Sequence, residues 1–403
     1  MTTLRLVIAF IRRSPLSWAF HVLTLALGVG LTSAIILLGN ALDDRFARDI
    51  AGIDLVVGAK GSPLQLITST IFQADIPTGN IPLDVAETIA KNRLVAASAM
   101  VLLGDNVKGF RIVGATRDYP DFYGAQLESG AWYAAPMDVV LGSATARALK
   151  LGIGDTFVGQ HGLGEGGEMH SEFPYRVTGI LAETGTVMDR LVLTAPESVW
   201  RIHDHEAEEL AAEQGHAAGE HPREVTALLI RYRSAMGAVT LPKLVSAMRD
   251  IQAAAPPVEA ARLRALLGTG ADLMTWLAIA LLAVSATGFV ISLFSAIRQR
   301  RRELALLRTI GTTPARLFGI VLLEASLLGL LGGAIGLALG RVLAATGASA
   351  AAAHGGPVFA LAPPGSFDFI VVAAAMALSL LAAAGPAISA YRTDPAQILK
   401  AAS

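Results

Sequence analysis

Residues 301–340 read RRELALLRTIGTTPARLFGIVLLEASLLGLLGGAIGLALG, and this stretch is typical of a membrane protein. It begins as a basic amphipathic segment, turns at a Gly-Thr-Thr-Pro corner, and continues as an apolar run in which Glu324 is the sole charge. At 1.5 Å per residue, the run 317–340 is long enough to cross about 30 Å of hydrocarbon. At the corner, Thr313 can cap a helix that begins with Pro314. We therefore predict a short surface helix followed by a transmembrane helix.

The composition of the whole chain agrees with this interpretation. Of its 403 residues, 53% are apolar and only 16% are charged, whereas an ordinary soluble domain carries about 25% charged residues. Three further apolar runs, 17–38, 273–297 and 369–390, are long enough to span a bilayer. The first run is longer than the core of a signal peptide, so we expect it to be retained as a helix.

The distribution of basic residues predicts the orientation. Segments 1–16, 298–316 and 391–403 carry formal charges of +3, +5 and +1. With four spans all three segments fall on one side, and the positive-inside rule places them in the cytoplasm. We therefore predict an α-helical membrane protein with four transmembrane helices, with both termini cytoplasmic, and with an α+β extracytoplasmic domain inserted between helices 1 and 2.

The predicted division of the chain has nine segments. The cytoplasmic segments are an interfacial helix (1–16), a coupling elbow (298–316) and a tail (391–403). The four spans are 17–38, 271–297, 317–340 and 368–390. The extracytoplasmic segments are a stalk with the α+β domain (39–270) and an outer loop (341–367).

Amphipathic stretches flank the external domain. Leu42, Phe46 and Ile50 recur every four residues after the first span, and a similar stripe precedes the second span, so we predict stalk helices continuous with both spans. Between them, strand-like and helix-like segments alternate, as in an α+β domain. We expect strands at 53–57, 95–103, 109–114, 137–141, 175–181, 190–193 and 225–232, helices at 143–149 and from 196 to about 205, and a surface loop at 58–82.

The third span carries glycines at a spacing that favours close helix packing. Three pairs lie four residues apart, and small residues at this spacing let two helix backbones approach closely in lipid. The alternative is the general tolerance of glycine in membrane helices. The residues are Gly329, Gly332, Gly333, Gly336 and Gly340.

The sequence limits the chemistry that this chain can perform. It has no cysteine, which excludes disulfides, iron–sulfur clusters and thiolate zinc sites. Lys60 lies between two glycines, but the spacing does not match a phosphate-binding loop, and no nucleotide-binding motif occurs. The net charge is −1 and the basic residues are scattered, which argues against nucleic-acid binding. We predict no catalytic residue and no cofactor in this chain.

Histidines provide one hypothesis for a metal site. Four of the eight lie within 203–221, and imidazoles beside carboxylates suit zinc or nickel. If these residues bind a metal, the histidine-rich loop would take part in metal-linked transport. The alternative is a solvated insertion, because Ala, Gly and Glu dominate the segment and nothing fixes ligand geometry. The candidate ligands are His203, His205, His216 and His221.

Several motifs together resemble a known family. They are the string RRELALLRTIG at 301–311, the following Thr313-Pro314, the glycine-rich third span with Glu324, and RTDPAQIL at 392–399. This combination resembles the permease subunits of MacB/FtsX/LolC-type ABC transporters. Segment 139–155 also resembles the external domain of that family, so the resemblance covers the whole architecture.

The resemblance implies partners and a location. A separate cytoplasmic ABC ATPase would bind ATP and Mg, and a second permease chain would complete a homodimer or heterodimer. The bacterial inner membrane would be the location, and a periplasmic adaptor or substrate-binding protein would be a further partner. The residues implied in ATPase coupling are Arg301, Arg302, Glu303, Arg308, Gly311, Thr313 and Pro314.

The resemblance also implies a function. We expect mechanotransmission, in which ATP hydrolysis drives export or extraction of a lipoprotein, peptide or hydrophobic small molecule on the outer side of the membrane. The alternative is a non-transporting FtsX-like scaffold that relays ATPase motion to an extracytoplasmic partner. Glu324 is an acid at membrane depth and hence a functional candidate. It could instead lie near the cytoplasmic surface, paired with an elbow arginine.

Overall fold

A computed structural model describes residues 3–162, 172–213, 222–299, 309, 311–353 and 361–391. The chain forms two compact units. The helical unit contains the residues up to Leu42 and most of those from Gly268 onward, and the α/β unit contains Asp43–Leu267. The predicted fold class, in which four long apolar helices accompany an α+β domain inserted between the first and second, is confirmed.

Within the part of the chain that the structure describes, four helices are long and apolar enough to cross a membrane. The first of them, α2, follows the short helix α1, and both α2 and α9 continue into the predicted stalk without a break. The helices are α1 (Thr3–Arg13), α2 (Pro15–Ile50), α9 (Pro256–Gln299), α10 (Pro314–Ala353) and α11 (Ser366–Tyr391). The outer loop predicted at 341–367 is too long, because α10 continues to Ala353 through an alanine-rich segment of high helix propensity.

The helical unit has its own apolar core. Leu25 and Val29 of α2 pack with Phe289 of α9 and with Leu317 and the turns that follow it in α10. Val7 of α1 is fully buried in the same core. The predicted interfacial helix is therefore anchored on its apolar face by contacts with the other helices.

The α/β unit is built on one mixed sheet. The order of its strands is β13-β1-β12-β3-β4-β10-β6-β9-β5, with β7 paired to β9 and β8 paired to β3. Within this sheet the pairs β10–β4 and β6–β9 are parallel. The strands are β1 (Leu55–Ala59), β3 (Val95–Val107), β4 (Phe110–Ala115), β5 (Leu127–Gly130), β6 (Asp138–Leu141), β7 (Thr156–Phe157), β8 (Gln160–His161), β9 (Tyr175–Leu181), β10 (Val192–Thr194), β12 (Ala227–Tyr232) and β13 (Ile251–Ala254), while β2 (Ile81–Pro82) and β11 (Glu224–Val225) form a separate pair.

Both faces of this sheet are buried. Val56 and its cross-strand partner Leu229 belong to one apolar cluster, whereas Leu55 and Val57 belong to another. Side chains of a strand alternate between its faces, so helices must cover each side. The helices are α3 (Pro63–Thr70), α4 (Leu83–Ala90), α5 (Tyr119–Phe122), α6 (Ser143–Leu149), the 3-10 helix Val187–Arg190, α7 (Pro196–Glu213) and α8 (Ala235–Ser246).

Two local predictions in this unit are wrong. The surface loop expected at 58–82 contains helix α3, because Ser62 caps it by accepting a hydrogen bond from Gln65 N at 3.4 Å, and because Leu66 and Ile67 are buried. Helix α7 continues to Glu213 instead of ending near 205, since the sequence EAEELAAE is rich in good helix formers. Helices α4 and α8 and strand β13 were not expected.

Candidate functional site

The corner before α10 has the backbone that its sequence predicts. Gly311 has φ +97°, in the left-handed region that a side chain disfavours. Thr313 caps α10, since its Oγ1 accepts a hydrogen bond from Arg316 N at 3.4 Å and its carbonyl accepts one from Leu317 N at 3.2 Å. Pro314 is the first residue of the helix. The coupling candidates Arg301, Arg302, Glu303 and Arg308 lie outside the described residues.

The first turns of α10 are buried in the core of the helical unit. Leu317 is fully buried three residues after Pro314, and Ile320 and Val321 are buried one turn later. Because protein interiors are close-packed, a displacement of these side chains must move their neighbours. The corner is thus mechanically connected to the core of the four long helices.

The glycines of α10 face two different helices. A Cβ on Gly336 would lie 2.8 Å from Ala26 O in α2, and one on Gly340 would lie 2.6 Å from Gly30 O. Gly332 lies against the side chain of Leu25 in α2, where a Cβ would lie 2.8 Å from Leu25 Cδ2. The three positions form one face of α10, on which Gly336 and Gly340 leave room for the backbone of α2 and Gly332 leaves room for a side chain.

The other two glycines, Gly329 and Gly333, face α11. A Cβ on Gly329 would lie 2.7 Å from Met376 Cα, and one on Gly333 would lie 2.9 Å from Ala375 Cβ. Helix α10 is therefore held between α2 and α11 by close contacts on both sides. Glu324 lies on the same helix and is 8% exposed, among the buried residues Val321, Ala325 and Leu328.

The last turn of α2 is bonded to a loop of the α/β unit. Asp49 is 2% exposed, and its Oδ1 accepts a hydrogen bond from Val187 N at 2.7 Å. Its Oδ2 lies 3.3 Å from Arg45 Nε, and Arg48 Nε donates to Gly185 O at 3.2 Å. The loop is ordered in turn by its own buried carboxylate, Asp189, which accepts hydrogen bonds from Thr184 N and Gly185 N, each at 2.8 Å.

Sequence reasoning missed this contact, because charged residues between apolar positions of an amphipathic helix normally face water. The spacing of Arg45 and Asp49, one helical turn apart, was the available signal. Phe46 lies between them and packs against Phe72, with ring centroids 5.0 Å apart. The end of α2 is thus held in the α/β unit by both apolar and polar contacts.

A buried arginine orders a second loop of this unit. Arg111 of β4 donates through Nη1 to Ser69 O at 3.1 Å and to Gln73 Oε1 at 3.2 Å, and through Nη2 to Asp75 O. Burial lowers the pKa of Arg111 to about 10. The side chain therefore keeps its charge at neutral pH and holds the segment after α3 from the inside.

The structure separates the two described histidine candidates. His203 and His205 are two positions apart on α7, so they point in different directions. The ring of His203 lies 6.0 Å from that of His161, whereas His205 Nε2 lies 3.1 Å from Glu172 Oε2. Both histidines therefore lie on a helix and not in the loop that the sequence suggested.

His216 and His221 lie outside the described residues. Within the described ranges, no three His, Asp or Glu side chains come together in the manner of a metal site. Zinc or nickel binding therefore stays a prediction.

Two protein-family models match the chain. The model of the MacB-like periplasmic core domain matches residues 18–262, and the model of the FtsX-like permease C-terminal domain matches residues 276–395. Together they include most of the α/β unit and the helices that follow it. No curated protein sequence matches the chain.

Two solved structures show distant similarity. The periplasmic region of MacB from Actinobacillus actinomycetemcomitans is 12% identical, with a TM-score of 0.36, over 56% of this chain and 98% of that chain. The extracellular domain of the noncanonical ABC-type transporter YknZ from Gram-positive bacteria is 12% identical, with a TM-score of 0.28, over 50% of this chain and 98% of that chain.

Proposed function

We propose that this chain, which belongs to the MacB- and FtsX-like family of ABC transporter permeases, couples ATP hydrolysis by a separate ATPase subunit to the movement of a substrate on the outer side of the membrane. The observation that carries the proposal is the pair of family matches, one over 18–262 and one over 276–395. They occur in the order that a permease with an external domain after its first span requires.

The corner at Gly311 is the part of the chain best suited to receive motion from an ATPase. Its backbone is fixed by a left-handed glycine and by a capped helix that begins at Pro314. The buried Leu317 follows directly. A push on the segment before the corner would therefore displace α10 as a rigid element.

Motion of α10 would pass to α2 through close contacts at Gly336 and Gly340, which lie against the backbone carbonyls of Ala26 and Gly30. Helix α2 is continuous from Pro15 to Ile50 and is bonded through Asp49 to Val187 of the α/β unit. Helix α9 is likewise continuous from Pro256 to Gln299. These two helices support mechanotransmission as the mode of coupling.

The remaining parts of the proposal rest on the family and on charge. A second permease chain would complete the transporter, and a periplasmic adaptor or substrate-binding protein would cooperate with the external domain. The basic segments favour an orientation with both termini in the cytoplasm, and the family implies the bacterial inner membrane. A lipoprotein, a peptide or a hydrophobic small molecule is the proposed substrate.

Co-purification from native membranes tests the proposal. The tagged full-length chain should retain an ABC ATPase, and the complex in liposomes should hydrolyse ATP and transport substrate. A complex that hydrolyses ATP and activates an external enzyme without moving any substrate would favour the regulatory scaffold. Recovery of the chain without any ATPase would contradict both functions.

A further inference from the structure

The first half of strand β3 has an open edge. The strand runs for 13 residues, but β4 pairs only with its residues 101–107, while β12 pairs with residues 95–101 on the other side. Among the described residues, no strand pairs with 95–99 on the side of β4. The edge therefore presents main-chain N–H and C=O groups that form no hydrogen bond to a neighbouring strand.

Strand alternation identifies Ser98 as the residue that presents these groups. Met100 directs its main chain to the side of β4, where its N donates to Thr116 Oγ1 and its O accepts from Thr116 N, each at 3.1 Å. Successive residues alternate in direction, so Ser98 directs its N–H and C=O to the same side, whereas Ala97 faces β12. The register with β12 shifts at Ala96, and this bulge limits the open edge to a few residues.

A polar groove of about 730 Å³ lies along the open edge. Its rim includes Arg93, Arg233 and Asp118, whereas Lys91, which also lines the groove, forms an ion pair with Glu87 in which Nζ and Oε2 lie 2.8 Å apart. The guanidinium of Arg233 is held in place because its Nε and Nη2 donate to Val95 O at 3.2 and 2.9 Å. With Lys91 neutralised by Glu87, the two guanidinium groups of Arg93 and Arg233 face the single carboxylate of Asp118, and this balance favours an anionic occupant.

We propose that this edge binds an extended, acidic segment of a partner protein, which pairs with the main chain of Ser98 and places carboxylates beside Arg93 and Arg233. An unpaired strand edge is a template for another extended chain. In this binding mode main-chain hydrogen bonds give affinity, and the alternating side chains give specificity. The proposal is independent of ATPase coupling, because the edge lies in the α/β unit and needs no nucleotide.

The experiment measures binding of fluorescein-labelled peptides to the full-length chain in nanodiscs of neutral lipid. The probe is TEVEVT, which favours an extended conformation and carries two carboxylate side chains. The basic peptide TKVKVT tests the role of charge. The peptide TEPEPT keeps the charge but lacks two main-chain donors, so it tests strand pairing. We expect each control peptide to bind at least about tenfold more weakly.

Matched variants test the same two features on the protein. Ser98→Pro removes the outward N–H without removing a bond to β12, and Ser98→Thr keeps that N–H. Arg93→Glu reverses a charge at the groove, and Arg249→Glu makes the same change at an exposed site outside it. We expect Ser98→Pro and Arg93→Glu each to weaken TEVEVT binding about tenfold. The controls Ser98→Thr and Arg249→Glu should leave it unchanged. Thermal unfolding checks that Ser98→Pro is folded.

Amide hydrogen exchange gives a measurement that needs no variant. TEVEVT should slow exchange in the stretch 95–100 and leave β13 unaffected. Failure of TEVEVT to bind, or equal binding of all three peptides, would overturn the proposal. A third outcome would also overturn the proposal. In it, Arg93→Glu loses binding, Ser98→Pro binds like the parent, and residues 95–100 gain no protection from exchange. Binding of that kind would be electrostatic adsorption without strand pairing.

Discussion

Arg341 and Asp368 form a bidentate ion pair between α10 and the first turn of α11. Arg341 Nε lies 3.0 Å from Asp368 Oδ1, and Arg341 Nη2 lies 2.7 Å from Asp368 Oδ2. The same two side chains order the connection, because Arg341 Nη1 donates to Ala362 O at 3.0 Å and Gly365 N donates to Asp368 Oδ2 at 2.8 Å. The predicted orientation places this end of both helices outside, where the carboxylate compensates an arginine that the positive-inside rule disfavours.

Loss of this ion pair should destabilise the helical unit. Asp368→Asn leaves a guanidinium that is only 24% exposed without its counter-ion, so we expect a loss of about 1–3 kcal/mol. Thermal unfolding of the purified chain in detergent measures this loss as a lower Tm. Asp368→Glu, which keeps the charge, should lose less. An unchanged Tm in Asp368→Asn would show that the pair contributes nothing.

The glycine face toward α2 should tolerate no side chain. Gly340→Val would place its Cβ 2.6 Å from Gly30 O, so we expect a cost of about 1–3 kcal/mol from overpacking or separation of the helices. Gly319→Val is the matched control on the same helix, because a Cβ there meets no atom within 4 Å. The chain has no native cysteine, so the separation can be followed by crosslinking cysteines introduced on α2 and α10. Equal crosslinking in both variants would contradict the close contact.

Gly311→Val should uncouple ATP hydrolysis from transport. At φ +97° a β-branched residue is strongly strained, at a cost of about 1–2 kcal/mol, so the corner should change its backbone. We expect the ATPase to co-purify normally while transport in liposomes falls to background. Thr312→Val introduces the same valine one position later, where the native threonine is already β-branched, and should keep transport. Parental transport in Gly311→Val would leave the corner as a topological anchor only.

The bond between Asp49 and Val187 N should stabilise the loop at 184–190. Asp49→Ala leaves the buried Val187 N–H without its acceptor, so we expect about 1–3 kcal/mol of destabilisation and faster amide exchange in this loop. Asp49→Asn keeps an acceptor oxygen and should have a smaller effect. Asp44→Ala, at an exposed position of the same helix, is the control. Equal exchange in all variants would refute the role of Asp49.

The orientation can be tested by reporter fusions. The formal charges of +3, +5 and +1 on the three basic segments predict that fusions after Asp54, Arg300 and Gly355 report outside, inside and outside. Alkaline phosphatase and green fluorescent protein, which are active on opposite sides of the membrane, provide the readout. A cytoplasmic signal after Asp54 would invert the arrangement.

Much of the fold could be predicted from the sequence, because the signals are local. The length of an apolar run sets whether a helix can span a bilayer, and a Thr-Pro pair after a glycine indicates a helix start without reference to distant residues. The capped corner of α10, the continuity of α2 into the stalk, and strand β9 at 175–181 agree with expectation for this reason. The family resemblance depends on motifs of the same local kind, and the family matches confirm it.

Only the tertiary structure decided which surfaces meet. The glycine spacing predicts close packing but does not say that Gly336 faces α2 while Gly333 faces α11, since that depends on where the partner helices lie. The charges of Arg45 and Asp49 look solvated along the chain, and they are buried because a loop 138 residues away supplies the N–H of Val187. His203 and His205 are neighbours in sequence, yet the helix turns them apart. Contacts between distant segments depend on the relative placement of whole elements, and local propensity carries no information about that placement.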